Sequence, residues 1–223
     1  MPRISKRLSP QAVRGPSAGL HTENPPHLIP DNATPLCQNM RIDADKIQQI
    51  PGYVTIGSNF GLTLDGTDDS LSVTDAAQTG LDIVGSITVE ALIRPTSVTG
   101  TQIIAAKWGN GVANQSYRLY LSGTSLVFEV GDGTSQETHT GGTVLAINTV
   151  YRVKGTWNVS GRELVTYVNG TQEATAVTTT LTAIGAGGAA FRLGADNSAA
   201  SDAVANFFTG QIGYVRVSDE FSS

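Results

Sequence analysis

Cysteine is nearly missing from this chain, and Cys37 stands alone. One thiol closes no disulfide within the chain and builds no Cys-type metal centre. Charge is sparse, with Asp, Glu, Lys and Arg at 15% and aromatics at 6% of residues. No run of 18 apolar residues is present, which excludes a hydrophobic helical membrane span. The N-terminus lacks the apolar stretch of a secretory signal. We therefore expect synthesis in a cytoplasm and no membrane partner. Chemistry-bearing motifs are also lacking. There is no phosphate-cradling glycine loop. Glycoside hydrolysis needs two carboxylates flanking one bond, and Glu90 and Glu129 are single acids on separate predicted strands. His21, His27 and His139 lie far apart, and nothing orients a triad. The expectation is a protein that is not an enzyme.

What the chain does hold is glycine, threonine, serine and valine in short runs. Gly-rich turns between β-branched segments are the composition of a sandwich or barrel. Proline marks the boundary. Seven of the nine prolines (Pro2, Pro10, Pro16, Pro25, Pro26, Pro30 and Pro35) fall near the start. Proline removes a backbone donor and fixes φ, so this stretch sustains neither a helix nor a central strand. Residues 1–58 are expected to be an extended arm, with short strands at Asn39–Ile42 and Lys46–Ile50. Residues 59–223 are expected to be one all-β domain. Charge divides the same way. Residues 1–50 carry six Lys or Arg against four acids, a net of +2 within a chain of −5. A basic arm on an acidic body predicts docking against acidic partner surface. Arg3, Lys6, Arg7 and Arg14 would make that contact. Four such charges are too few to predict direct nucleic-acid binding.

From residue 59 strand signals recur at even spacing. Ser86–Arg94 alternates with Ile87, Val89, Ala91 and Ile93 inward. Tyr117, Leu119 and Leu121 share a face. Leu164–Val168 runs into Asn169-Gly170, a strong hairpin signal, and Thr171–Val177 returns from it. Gly210–Ser218 closes the series, with Ile212, Tyr214 and Arg216 alternating against Gly213, Val215 and Val217. About a dozen such strands and no convincing helix predict a two-sheet antiparallel jelly-roll sandwich.

Several blocks resemble one family in order. Leu64-Asp65-Gly66-Thr67-Asp68-Asp69-Ser70-Leu71 is similar to the opening of laminin-G-like, concanavalin-A-like jelly rolls. Val89-Glu90-Ala91-Leu92-Ile93-Arg94-Pro95, Ile104–Trp108, Gly155-Thr156-Trp157, Tyr167–Gly170 and Phe208–Val217 resemble later blocks. Leu92 and Ser70 depart from the pattern, which commonly has Trp and Tyr there. The resemblance covers residues 60–219. Hydrolases of this fold commonly carry Glu-x-Asp-x-x-Glu on one strand, and that pattern is absent. The resemblance implies Ca²⁺ binding through loop acids, for which hard oxygen ligands are suited. Candidates are Asp65, Asp68 and Asp69 in one turn, and Asp196 and Asp202 in another. It also implies glycan binding at a rim. Trp108 precedes the flexible Gly109-Asn110-Gly111 loop, with Asn114 nearby and Asn206 in the 194–206 loop, and would serve as an exposed platform; alternatively it is a packed framework residue, since the Lys107-Trp108 pair resembles one that recurs in the family. Trp157 lies mid-strand and is expected in the core.

The arm is similar to the N-termini of tailed-phage virion proteins. Pro25-Pro26-His27-Leu28-Ile29-Pro30, Gln38-Asn39-Met40-Arg41 and Ile50-Pro51-Gly52-Tyr53 carry that resemblance. It implies a virion structural protein held to other virion proteins by its arm, with Asn39 and Arg41 joining the basic residues in the contact. It further implies a homo-oligomer on the capsid, collar or tail, displaying the jelly roll and open to host-surface glycans. The alternative is a lectin-like adhesion module whose main task is glycan recognition.

Overall fold

The computed structural model describes residues 55–57, 61–198 and 203–221. The arm residues Arg3, Lys6, Arg7, Arg14, Asn39 and Arg41, the strands expected at Asn39–Ile42 and Lys46–Ile50, and Asp202 lie outside the described residues.

The strands in chain order are β1 (Thr55–Gly57), β2 (Gly61–Asp65), β3 (Leu71–Val73), β4 (Ile87–Pro95), β5 (Thr101–Trp108), β6 (Gln115–Ser122) and β7 (Ser125–Gly131). Then come β8 (Gln136–Thr140), β9 (Tyr151–Asn158), β10 (Glu163–Val168), β11 (Thr171–Thr178), β12 (Phe191–Leu193) and β13 (Thr209–Ser218). They form two antiparallel sheets. One has seven strands in the order β1-β2-β13-β4-β9-β10-β11, and the other has six in the order β3-β12-β5-β6-β7-β8. The architecture is the expected all-β jelly-roll sandwich. β1 pairs with β2 at Thr55↔Thr63, so the seven-stranded sheet draws a strand from before residue 59.

Alternation decides which side chains meet between the sheets. Ile87, Val89, Ala91 and Ile93 are fully buried, as are Tyr117, Leu119 and Leu121 opposite them. Trp157 is in this core and donates its indole N–H to Thr179 Oγ1 at 3.2 Å. Phe128 packs directly on Gly155, where a Cβ would stand 2.3 Å from the ring. The Gly155-Thr156-Trp157 block therefore reads as a packing site between sheets. At the β10–β11 turn Asn169 (φ 51°) and Gly170 (φ 83°) adopt the left-handed backbone that an Asn-Gly hairpin requires.

The last strand departs from simple alternation. Its register against β4 shifts between Ile212 and Tyr214, which is a bulge at Gly213. Ile212, Val215 and Val217 consequently face the core, and Tyr214 and Arg216 face outward. The bulge decides the seven-stranded sheet's outer surface. β8 was not apparent in the sequence because Gln136–Thr140 is a polar edge strand. His139 fixes it in place: its Nδ1 lies 3.0 Å from Thr166 Oγ1 and its Nε2 3.1 Å from Thr175 O, so it joins the two sheets.

One cation is wholly internal. Lys107 Nζ reaches Asp75 Oδ1 at 2.5 Å, Gly187 O at 2.8 Å, Asp82 Oδ1 at 3.0 Å and Ala189 O at 3.0 Å. A buried ammonium needs such a complete set of oxygens. It binds two loop segments to β5.

Candidate functional site

The outer face of the six-stranded sheet holds the densest group of polar and charged side chains. Strand register places them. Ser72, Arg192, Ala106, Arg118, Glu129 and Thr138 form one row across β3, β12, β5, β6, β7 and β8. Ile103, Tyr120, Val127 and Thr140 form the next row. Ile103, Ala106, Trp108, Tyr120 and Val127 make a small apolar cluster separate from the main core. Residues 194–198 and 203–208 lie along this face. Asn197 N donates to Trp108 O at 3.0 Å, and Ile103 N donates to Asn206 O at 2.9 Å. A paired bridge between Asp196 and Ala205 closes the loop's base.

Arg118 is the hub. Its guanidinium lies 4.4 Å from the Trp108 ring centre and 4.7 Å from that of Tyr120. It pairs with Glu129 Oε2 at 2.7 Å and with Asp196 Oδ2 at 3.0 Å. Both carboxylates are buried, so the cation is what makes their burial tolerable. Tyr120 donates its O–H to Glu129 at 3.2 Å. Burial and the Glu129 charge push that phenol up to about 12. The other Asp196 oxygen accepts Ser198 N at 3.2 Å, Ser198 Oγ at 2.7 Å and Asn206 Nδ2 at 3.0 Å.

Arg192 differs from Arg118. It lies in the same row, two strands away, and is half-buried. Its Nε donates to Asn197 Oδ1 at 2.7 Å and its Nη1 to Ser70 Oγ at 3.4 Å. Among the described residues no carboxylate lies within ion-pair distance of it. Burial lowers its pKa, and the Asp196 charge opposes that shift. It is an oriented guanidinium held by neutral groups.

The residues expected from sequence fall into three sets. Trp108 and Asn206 are brought together by Arg118 and Asp196. Trp108, however, is 1% exposed. It supports Arg118 and offers no platform for a sugar ring, so the packed-framework alternative holds and the exposed platform does not. Asn110 and Asn114 belong to the neighbouring loop, where Asn114 Nδ2 donates to Asn110 O at 3.4 Å. Asp196 accepts from Arg118, Ser198 and Asn206, and its expected Ca²⁺ partner Asp202 lies outside the described residues. Asp65, Asp68 and Asp69 do converge, with a ligand atom from each within 4.8 Å of the others. Two are also turn acceptors: Asp65 Oδ1 takes Thr67 N at 2.7 Å, and Asp69 Oδ2 takes Asp65 N at 3.1 Å. The Asp69 carboxyl is raised, first by burial and then by the charges of Asp65 and Asp68, against the bond from Asp65 N. Glu90 and Glu129 lie on different sheets, each facing outward, so they cannot flank one bond.

Sequence reasoning missed Arg118, Arg192 and Tyr120. Their signal was the polar phase of the strands, Ser116-Arg118-Tyr120 lying opposite the apolar Tyr117-Leu119-Leu121. What it could not show was that Asp196, 78 residues after Arg118, reaches that phase.

A family model described as the Concanavalin A-like lectin/glucanases superfamily matches residues 65–222. Among solved structures, the chain is similar to the CBM40 of the Ruminococcus gnavus IT-sialidase. In its complex with α2,3-sialyllactose the identity is 16% and the TM-score 0.58, over 69% of this chain and 88% of that one. In its complex with α2,6-sialyllactose the identity is 15% and the TM-score 0.60, over 74% and 93%. A heptameric SAP-like pentraxin from Limulus polyphemus matches at 16% identity and a TM-score of 0.50, over 63% and 66%. No curated protein matches the sequence. These likenesses concern the fold. They give the virion reading no support. Among the described residues no helix is long and apolar enough to cross a membrane.

Proposed function

We propose that the chain, which belongs to the Concanavalin A-like lectin/glucanases superfamily, is a non-catalytic glycan-binding module. Its site is the outer face of the six-stranded sheet beside the 194–208 loop, and its ligand is a sugar bearing a carboxylate. The observation that carries this reading is Arg192. A guanidinium held by Asn197 and Ser70, with no carboxylate partner among the described residues, is arranged to accept one from a ligand. Ser72 beside it, and Ser198 and Asn197 on the loop, supply polar groups suited to sugar hydroxyls. Arg118 does not compete, since Glu129 and Asp196 already neutralise it. The sialyllactose-bound modules of the same fold support the choice of an acidic sugar.

The test is calorimetric titration with α2,3-sialyllactose, α2,6-sialyllactose and lactose. The sialosides should bind and lactose should not. Arg192→Ala should weaken sialoside binding at least tenfold while leaving the melting temperature within a few degrees of the parent. Equal binding of lactose would remove the acidic-sugar assignment. No binding to any sugar on a broad glycan array would remove the glycan reading altogether.

A further inference from the structure

At one corner of the sandwich four uncharged stretches of chain meet. They are residues 95–101 after β4, the 122–126 turn between β6 and β7, the 140–151 connection from β8 to β9, and the 168–172 turn between β10 and β11. None contains Asp, Glu, Lys or Arg. Hydrogen bonds place them together. Asn148 N donates to Pro95 O at 2.7 Å, Leu145 N to Thr124 O at 2.9 Å, and Asn169 N to Arg152 O at 2.7 Å. The acids at this end, Asp65, Asp68 and Asp69, lie beyond β13, on the far side of β2 from β4. Of the six large apolar side chains exposed among the described residues, three stand on the β8–β9 connection. Val144, Ile147 and Val150 are 73%, 50% and 46% exposed. Single exposed aliphatics are ordinary, but three within seven residues on an uncharged surface mark a contact.

The connection is braced from within. Leu145 is buried in the main core, and its neighbours Val144 and Ala146 are exposed. Gly141 N donates to Leu126 O at 2.8 Å, and Ala146 N to the Tyr151 hydroxyl at 3.0 Å. Glu173, a buried carboxylate on β11, holds Thr143 twice. Its Oε2 accepts Thr143 N at 2.6 Å and its Oε1 accepts Thr143 Oγ1 at 2.8 Å. A backbone fixed in this way cannot fold its aliphatic side chains back onto the core. They stay in water until another apolar segment covers them.

Strand register shows where such a segment arrives. Residues 1–54 precede β1. Thr55 pairs with Thr63, Thr63 with Gln211, and Gln211 with Arg94. Ile93 pairs with Tyr151, so Val150 continues that row. Thr55 and Val150 are therefore four strand positions apart, about 19 Å. Roughly six extended residues bridge that gap, at about 3.3 Å each. Ile47 lies eight residues before Thr55, and Ile42 and Met40 precede it. Within residues 39–47 the cations Arg41 and Lys46 are balanced by Asp43 and Asp45, whereas residues 1–38 carry four cations against two acids. The neutral aliphatic segment matches an uncharged aliphatic surface, and the basic stretch does not.

We propose that residues 39–47 of the same chain dock on Val144, Ile147 and Val150, through Met40, Ile42 and Ile47. So short a tether gives an effective concentration on the order of millimolar, at which a small patch suffices. A stable pairing of two copies would need far more, roughly 20–30 residues a side. The surface is apart from the sialoside site. Arg192 pairs with Ala106 towards the Trp108 end of β5, whereas Thr101, at the other end, pairs with Ser122 beside the 122–126 turn. The two proposals stand or fall separately.

The experiment digests the whole chain with trypsin and follows cleavage after Arg41 and Lys46 by mass spectrometry. A synthetic peptide of residues 36–54 supplies the rates for an undocked segment. Both bonds should be cut at least tenfold more slowly in the chain than in the peptide. Val144→Ser with Ile147→Ser should restore most of the peptide's rate. Val84→Ser with Val112→Ser should leave the protection unchanged, and so should Arg192→Ala. A melting curve checks that the first double variant folds. If it does not, Val150→Ser alone should raise both rates at least threefold. Equal rates in chain and peptide, or full protection in the folded variant, would overturn the proposal. Protection that grows with protein concentration would overturn it in favour of a second copy. Flotation of the chain with phosphatidylcholine vesicles would overturn it in favour of a lipid surface.

Discussion

Arg118 and Arg152 occupy comparable places on the two outward faces of the sandwich. Each lies on an interior strand, points away from the core and pairs with a glutamate at 2.7 Å. Their side chains are 16% and 62% exposed. The difference comes from what lies above them. On the six-stranded sheet residues 194–198 and 203–208 add Asp196 and Asn206 over the group, with Trp108 and Tyr120 as walls. Among the described residues no such loop lies over the cations on the seven-stranded sheet. The same residue type is a buried structural centre on one face and an exposed side chain on the other, and the sheets beneath them do not decide which.

Arginine-to-methionine substitution on each face breaks or confirms that contrast, and it is the largest expected effect. Arg118→Met strands two buried carboxylates and should cost about 3–5 kcal/mol. Arg152→Met leaves Glu90 with Tyr214 and Arg216, and should cost no more than about 1 kcal/mol. Urea denaturation of both variants reads the difference directly. Equal costs would mean that the loop does not seal its face. A smaller step is Asp196→Asn, which keeps the acceptor for Ser198 and Asn206 but removes one charge from Arg118. It should cost about 1–3 kcal/mol. The same variant should respond to added Ca²⁺ as the parent does, because Asp196 has no oxygen to spare.

Much of this contrast was hidden in the sequence, for physical reasons. The strands were legible because a half-buried strand alternates, and Ile87–Ile93 and Tyr117–Leu121 do so without interruption. The Asn-Gly hairpin was legible because so few residues tolerate its backbone. Three features were not. A bulge leaves no mark on composition, so Tyr214 and Arg216 were placed in phase with Ile212 although the structure sets them on the opposite side. Exposure and packing of Trp108 both stayed open because a flexible loop follows it, and what decides for packing is a segment distant in sequence. The acids near 196 looked like cation ligands because nothing local reveals that Arg118 reaches one of them. Local pattern specifies elements and their inward faces. Outward faces depend on which distant loop closes over them.

The smallest effects concern pH, and they separate the seam between the sheets from the outer face of the seven-stranded sheet. Burial holds His139 below its ordinary value near 6.5, although Thr175 and Glu173 oppose the shift. The fold prefers the neutral ring, so its contribution is present above pH 6.5 and declines as pH falls through the folded value. Glu90 is held below its ordinary 4.5. Its contribution is present above 4.5 and is lost as pH falls through the lower folded value. Urea melts from pH 7 to pH 3 should therefore show two losses in succession. His139→Gln should flatten the first and Glu90→Gln the second. Tyr214→Phe removes one bond to Glu90, costing about 1 kcal/mol at neutral pH, and should move the acid loss closer to pH 4.5. If Tyr214→Phe leaves the acid limb where it was, Arg152 and Arg216 alone hold Glu90 ionised. Glu90 would then be held by its cations without the phenol. If the limb moves as expected, the phenol and the guanidinium share one carboxylate.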